Sequence, residues 1–226
     1  MKKSQNRKKE IKFWDNISKK ERNWILKTPK EEIIKKIKSS KEHWWEELIG
    51  KVRGKKILDI GCGPCGSLEW ADMVLERIGL DPLTESYSSL GINKHKMKYV
   101  ASGVENIPFK DGYFDVVSSF NSLDHVDNLK KAINEIIRVL APGGIFLLIT
   151  DVNHHPTPCE PIKFSWDIIE KFTQKNMKLI EAKYYEKSEE GIYQSILANI
   201  PYDHHNKTKR YGILSAKFIK LQQRRL

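Results

Sequence analysis

Lys56-Ile57-Leu58-Asp59-Ile60-Gly61-Cys62-Gly63-Pro64-Cys65-Gly66 decides the fold. Ile57, Leu58 and Ile60 are too few for a helix face and suit a short buried strand. The strand ends beside an acid and passes at once into glycines. Glycine there lets the backbone turn tightly and approach a ligand where a Cβ would collide. Asp59 falls at the carboxyl end of the strand, the edge at which open α/β sheets bind ligands.

Several kinds of site use such a turn. Gly61-x-Gly63-x-x-Gly66, with Asp81 further on, matches a dinucleotide fingerprint. Against it, Pro64 removes a backbone N–H where a pyrophosphate would sit, and Asp59 would face that dianion. A ligand with a positive end suits Asp59 better. Cys62-x-x-Cys65 has thioredoxin-like spacing, but the flanking glycines suit a ligand loop, and both cysteines also read as small residues in a crowded turn. No Gly-Lys-Ser/Thr follows, which excludes a Walker-type phosphate loop.

Working outward, three more pieces follow in order: Ile78-Gly79-Leu80-Asp81-Pro82; Ile107-Pro108-Phe109-x-x-Gly112-x-Phe114-Asp115-Val116-Val117, with Asn121 and His125-Val126 after it; and Glu135-x-x-Arg138-Val139-Leu140-Ala141-Pro142-Gly143-Gly144 before a strand at 145–150. With these four pieces the chain resembles the class I S-adenosylmethionine-dependent methyltransferases, in particular the type 11-like small-molecule group, over roughly residues 50 to 152.

The resemblance implies S-adenosylmethionine as cofactor, whose sulfonium and ammonium groups suit the acids. It implies that Asp59 serves the methionine end, that Gly61, Cys62 and Gly63 pass close to it, and that Asp81, followed by Pro82, accepts the ribose hydroxyls. Val104 and Glu105 fall where the family contacts adenine. Gly103 stands where many members carry an acid, leaving adenine to backbone groups or Glu105. Asn121 and Ser122 would line the methionine side. Asp59 and Asp81 also read simply as helix caps. His125 is the candidate catalytic base, since imidazole titrates near neutrality. Methyl transfer itself depends mainly on alignment and needs no base in principle.

The expected fold is α/β and doubly wound. It is a Rossmann-like, seven-stranded, mostly parallel sheet with an antiparallel last strand, preceded by a helical N-terminal extension. Strands are predicted at 57–60, 76–80, 98–101, 114–120 and 145–151, with strand-like stretches at 178–187 and 211–220. Helices are predicted from about 66, at 84–91, at 128–140 and at about 165–175, with a strand or helix within 192–200. Residues 1–49 read as a basic helical extension or lid, with a helix start at Thr28-Pro29 and an apolar stripe that ends at Trp44, Trp45 and Leu48. Residues 50–226 read as the methyltransferase domain, with substrate-side insertions at about 153–164 and 188–210.

Charge divides the chain. Residues 1–56 hold 19 Lys and Arg against 8 Asp and Glu, a balance of +11, whereas 57–203 is net −7 and 204–226 carries 7 basic residues and no acidic one. Basic ends could serve RNA or an anionic surface. They also fit a Lys-rich composition and solvated helix faces. The 3 cysteines do not make a disulfide framework. With no apolar run of membrane length and no signal peptide visible, a cytoplasmic protein is expected.

Specificity is expected in loops. Residues 153–161, rich in Pro and His, offer His154, His155, Thr157, Cys159 and Glu160, and Tyr202-Asp203-His204-His205 lies in the second insertion. His154, His155, Tyr202 and His204 are the candidate substrate residues. The spacing fits no standard zinc motif, so no metal is expected. The function these readings support is methyl transfer to O or N of a small polar metabolite, with a sugar in view. The alternatives are an RNA methyltransferase using the basic termini and a binding or regulatory protein that keeps the fold without catalysis. Asn121-Ser122-Leu123-Asp124 replaces the Asn/Asp-Pro-Pro-Tyr/Phe tetrapeptide of many base-amino methyltransferases.

Overall fold

The computed structural model describes residues 51–222. The N-terminal extension, with Thr28-Pro29, Trp44 and Trp45, and the last residues, with Arg224 and Arg225, lie outside them.

Seven strands form one sheet: β1 Lys56–Ile60, β2 Glu76–Leu80, β3 Lys98–Val100, β4 Phe114–Phe120, β5 Leu140–Val152, β6 Met177–Glu186 and β7 Gly212–Lys220. Their order is β3-β2-β1-β4-β5-β7-β6. The first five pair in parallel, and β7 runs antiparallel to both β5 and β6. The carboxyl ends of β1, β2, β4, β5 and β6 therefore share an edge with the start of β7. Both insertions emerge there.

Strand alternation builds two apolar faces. Leu58 and Ile60 of β1 join Val117, Phe146, Leu148 and Phe218 beneath the helix α2 Leu129–Val139 and the short helix α3 Ile168–Thr173. Asn128 caps α2 by accepting from the Lys131 N–H at 3.0 Å, and Ala132, Ile133, Ile136 and Val139 are its buried stripe. On the other face Ile57, Val116 and Leu147 pack with Leu68, Trp70 and Met97.

The helix expected from residue 66 is not formed. Gly63 and Gly66 are both left-handed, with φ +55° and +73°, and few residues remain before β2. The chain instead makes tight turns, with Glu69 N–H bonding Gly66 O and Ala71 N–H bonding Leu68 O, each at 3.0 Å. The helix expected over 84–91 shortens to α1 Thr84–Tyr87, followed by 3₁₀ turns. There the Ser88 and Ser89 hydroxyls donate to the carbonyls three residues back, at 2.7 and 3.3 Å, and left-handed Gly91 ends the first turn. The fifth strand begins earlier than expected, at Leu140. Its ladder with β4 shifts register between Phe114 and Val116, so Ala141 to Gly144 form an excursion inside the strand. Within 192–200 a helix forms, α4 Ile192–Ala198, and Ile192 and Ile196 pack on Ile149, Tyr185 and Ile213.

Candidate cofactor site

β1 delivers Asp59 to the carboxyl edge, where it is 4% exposed. Its Oδ1 accepts from the Ser118 hydroxyl of β4 at 2.6 Å, and its Oδ2 accepts from the Ser67 hydroxyl. Burial raises its pKa to about 6, the two hydroxyls pull it down, and nearby Asp81 pushes it up. Asp81, from β2, is equally buried. Its carboxylate accepts from the Gly63 N–H at 3.1 Å and the Leu83 N–H at 2.9 Å, one on each oxygen. A carboxylate can accept more than one hydrogen bond on each oxygen.

Gly61, at φ +66°, is needed for packing as well as for the turn. A Cβ there would stand 2.3 Å from the Ser122 Cβ. The loops after β1 and β4 thus touch. The Ser122 hydroxyl donates to Ile60 O at 2.8 Å and lies 2.8 Å from Ser119 Oγ, so it ties the two strand ends together. Asn121 is left-handed at φ +53°. Its N–H bonds Ile149 O at 2.7 Å, while its buried Oδ1 has no hydrogen-bond partner among the described residues. A buried acceptor without a donor is costly and calls for a partner.

The remaining expectations divide. Cys62 turns inward: a Cβ on Gly79 would lie 2.6 Å from its Sγ. Its thiol pKa is raised well above the ordinary value, first by burial and then by Asp81 and Asp59. Cys62, Cys65 and Cys159 form no disulfide with one another, and Cys62 packs into the apolar cluster with Leu68, Trp70 and Met97. Pro82 is exposed and Val104 buried. The Glu105 Oε1 is committed to the Asp127 and Asn128 N–H groups, at 2.8 and 3.1 Å. Its Oε1 is anchored toward the entrance of α2.

The four substrate candidates sit in different surroundings, and His155 and His204 are exposed. His154 is 6% exposed, with Nδ1 3.0 Å from His155 O and Nε2 2.9 Å from Ile162 O. It fastens its own loop and is withdrawn from solvent. Tyr202 and His204 pack with Trp166 and Tyr184, at ring separations of 4.8 to 5.4 Å, and Arg210 stacks over Tyr202. These contacts fold the second insertion onto the sheet edge. His155 remains exposed. The sequence reading missed Asp124, buried between its neighbours. Its only sequence signal is adjacency to His125, whose ring lies 3.9 Å from Asp124 and 4.0 Å from Glu160.

Residues 58–148 match a family model described as a methyltransferase domain. This stretch is similar to methyltransferase domains. Its matched span holds Asp59, the glycine turn, Asp81 and Asn121. The sterol 4-C-methyltransferase strm-1 of Caenorhabditis elegans is 37% identical over 99 residues, 40% of this chain and 29% of its own length. The norajmaline N-methyltransferase of Rauvolfia serpentina is 32% identical over 113 residues, 46% of this chain and 38% of its own. The chain thus spans about a third of the length of these curated relatives. An S-adenosylmethionine dependent methyltransferase from Mesorhizobium loti superposes with a TM-score of 0.58 at 15% identity, covering 80% of this chain and 99% of that one, and shares the fold. S-adenosylmethionine, the cofactor named for that structure, would suit this site: Asp59 and Asp81 are both buried at the carboxyl edge, and Asn121 Oδ1 has no hydrogen-bond partner among the described residues.

No helix among the described residues is long and apolar enough to cross a membrane.

Proposed function

We propose that the protein transfers a methyl group to an oxygen or nitrogen of a small polar molecule. The observation that carries this reading is the pair of buried acids, Asp59 and Asp81, around the left-handed Gly61–Gly63 turn. When bound, the sulfonium of S-adenosylmethionine supplies an electrophilic methyl carbon.

Each residue then has a task. Asp81 takes the ribose hydroxyls on its carboxylate oxygens. Asp59 offsets the positive methionine end, and a cation beside it would in turn lower its raised pKa. The Gly61–Gly63 backbone lies close beneath the ligand, and Asn121 Oδ1 accepts from its ammonium. Val104 supplies apolar surface for adenine. The substrate enters over the loop after β4, where His125 and the loop at 153–162 meet. A hydroxylated acceptor, a sugar among them, suits the polar side chains there. Alignment of acceptor and methyl carbon provides most of the acceleration.

Calorimetric titration with S-adenosylmethionine and, separately, NAD tests the reading. Saturable binding of S-adenosylmethionine alone is expected. Asp81→Ala should weaken it by about 1–3 kcal/mol through the lost hydrogen bonds. Binding of NAD instead, or an unchanged affinity in the variant, refutes the assignment.

A further inference from the structure

Asp124, in the turn after β4, is 1% exposed, yet its Oδ1 accepts no hydrogen bond among the described residues. A buried carboxylate oxygen without a donor is costly and asks for a partner.

The atoms it faces are ligand atoms. His125 Nε2 lies 3.9 Å from that Oδ1 and 4.0 Å from Glu160 Oε1, and the donor atoms of the three residues all fall within 4.8 Å of one another. These separations are too long for hydrogen bonds and suit three ligands sharing one ion. A point equidistant from atoms so spaced lies at most about 2.5 Å from each, and side-chain shifts of a few tenths of an ångström bring all three to metal–nitrogen and metal–oxygen bonds of ~2.0–2.2 Å.

The surroundings hold the three in place. The Thr157 hydroxyl donates to Glu160 Oε2 at 3.2 Å, leaving Oε1 toward His125. The Ile162 N–H donates to Asp124 O at 3.2 Å, fastening the loop after β5 to the loop after β4. His154 Nε2 stands 3.6 Å from Asp124 Oδ2. Its hydrogen bond goes to Ile162 O at 2.9 Å, next to the N–H that fastens the two loops.

We propose that Asp124, His125 and Glu160 bind a divalent first-row transition-metal ion whose open positions receive oxygen atoms of the methyl acceptor. Two carboxylates and an imidazole favour Mn²⁺, Fe²⁺ or Zn²⁺ over Mg²⁺, which prefers an all-oxygen shell. Ion binding stands by itself, while its catalytic role rests on the methyl-transfer reading. A coordinated acceptor hydroxyl loses its proton to solvent water more readily. The oxygen lone pair then forms the O–C bond as the C–S bond breaks, and that electron pair stays on sulfur. His125 is then a ligand and not a base, because its Nε2 lone pair is on the metal.

The test uses Mn²⁺ alone as the probe, following free Mn²⁺ by its electron paramagnetic resonance signal as protein is added. Calorimetry with S-adenosylmethionine runs on the same samples. One saturable site is expected, weakened at least about tenfold in Glu160→Gln and in His125→Ala, with S-adenosylmethionine affinity unchanged in both. Glu160 is partly exposed, so its variant keeps the test independent of any folding defect at His125. No saturable Mn²⁺ binding, or binding unaltered by both substitutions, overturns the proposal. Loss of S-adenosylmethionine binding in wild-type protein that still takes Mn²⁺ would strike the methyl-transfer reading and leave the ion site standing.

Discussion

Asp59→Asn should make the protein more stable and a poorer binder of cofactor. The wild-type carboxyl is raised from 3.8 to about 6, chiefly by burial. About two pK units correspond to roughly 3 kcal/mol at 1.36 kcal/mol each, charged against the folded state while Asp59 is ionised. Asparagine removes that charge and keeps both hydroxyl contacts, its oxygen accepting from Ser118 and its amide donating to Ser67 once that hydroxyl rotates. The sign follows from the raised pKa. The folded carboxyl gains its proton before the unfolded one, so wild-type Asp59 regains stability as pH falls from about 6 toward 3.8. Urea unfolding should therefore show the variant ahead by about 1–3 kcal/mol at neutral pH. The advantage should vanish near the unfolded pKa. Calorimetry should show wild-type affinity for S-adenosylmethionine falling as pH drops through about 6, with the variant weak and flat. A variant less stable at neutral pH with cofactor affinity intact would refute the reasoning and make Asp59 a structural residue.

Gly61→Ala must place a methyl 2.3 Å from Ser122 Cβ at a positive φ. A loss of about 2–3 kcal/mol in urea unfolding is expected, partly recovered by adding Ser122→Gly. Arg138 donates to both Glu135 oxygens, to Ile107 O and Phe109 O, and to Asp111. Lysine cannot reproduce that fork, so Arg138→Lys should cost about 2–3 kcal/mol at neutral pH. Arg138 also holds the Glu135 pKa below its ordinary value, so the pair's contribution should fade in acid as Glu135 protonates, which unfolding at several pH values will show. Cys62 should resist a thiol reagent in the folded protein and react on unfolding, with cofactor affinity the same with and without reductant. Rapid modification of the native thiol would contradict its burial.

The placement of Asp59, Gly61 and Asp81 at strand ends was legible because a strand and the turn after it are local. A strand that ends at an acid and a glycine turn has few ways to continue, whatever surrounds it. The strand–helix alternation likewise announced the seven strands, because period-2 and period-3.6 burial are written into consecutive residues. Local signals misled where turns competed with helices. Gly63, Gly66 and the serines after α1 broke two expected helices, because left-handed backbone and side-chain bonds to nearby carbonyls interrupt the ladder.

Tertiary structure alone decided how the loop side chains pack. His154 and Tyr202 looked like substrate residues because they are polar or aromatic and lie in loops. Packing turned His154 inward against Ile162 O and set Tyr202 among Trp166, His204 and Arg210. Glu105 went to backbone donors more than 20 residues away. Conversely, Asp124, His125 and Glu160 meet only because β4 and β5 are neighbours and their following loops emerge at one edge. Residue type and short-range spacing specify a backbone turn, which is a local choice of φ and ψ. The meeting of side chains from separate loops is fixed by sheet order and by competition for buried hydrogen-bond partners, and no window of sequence contains either.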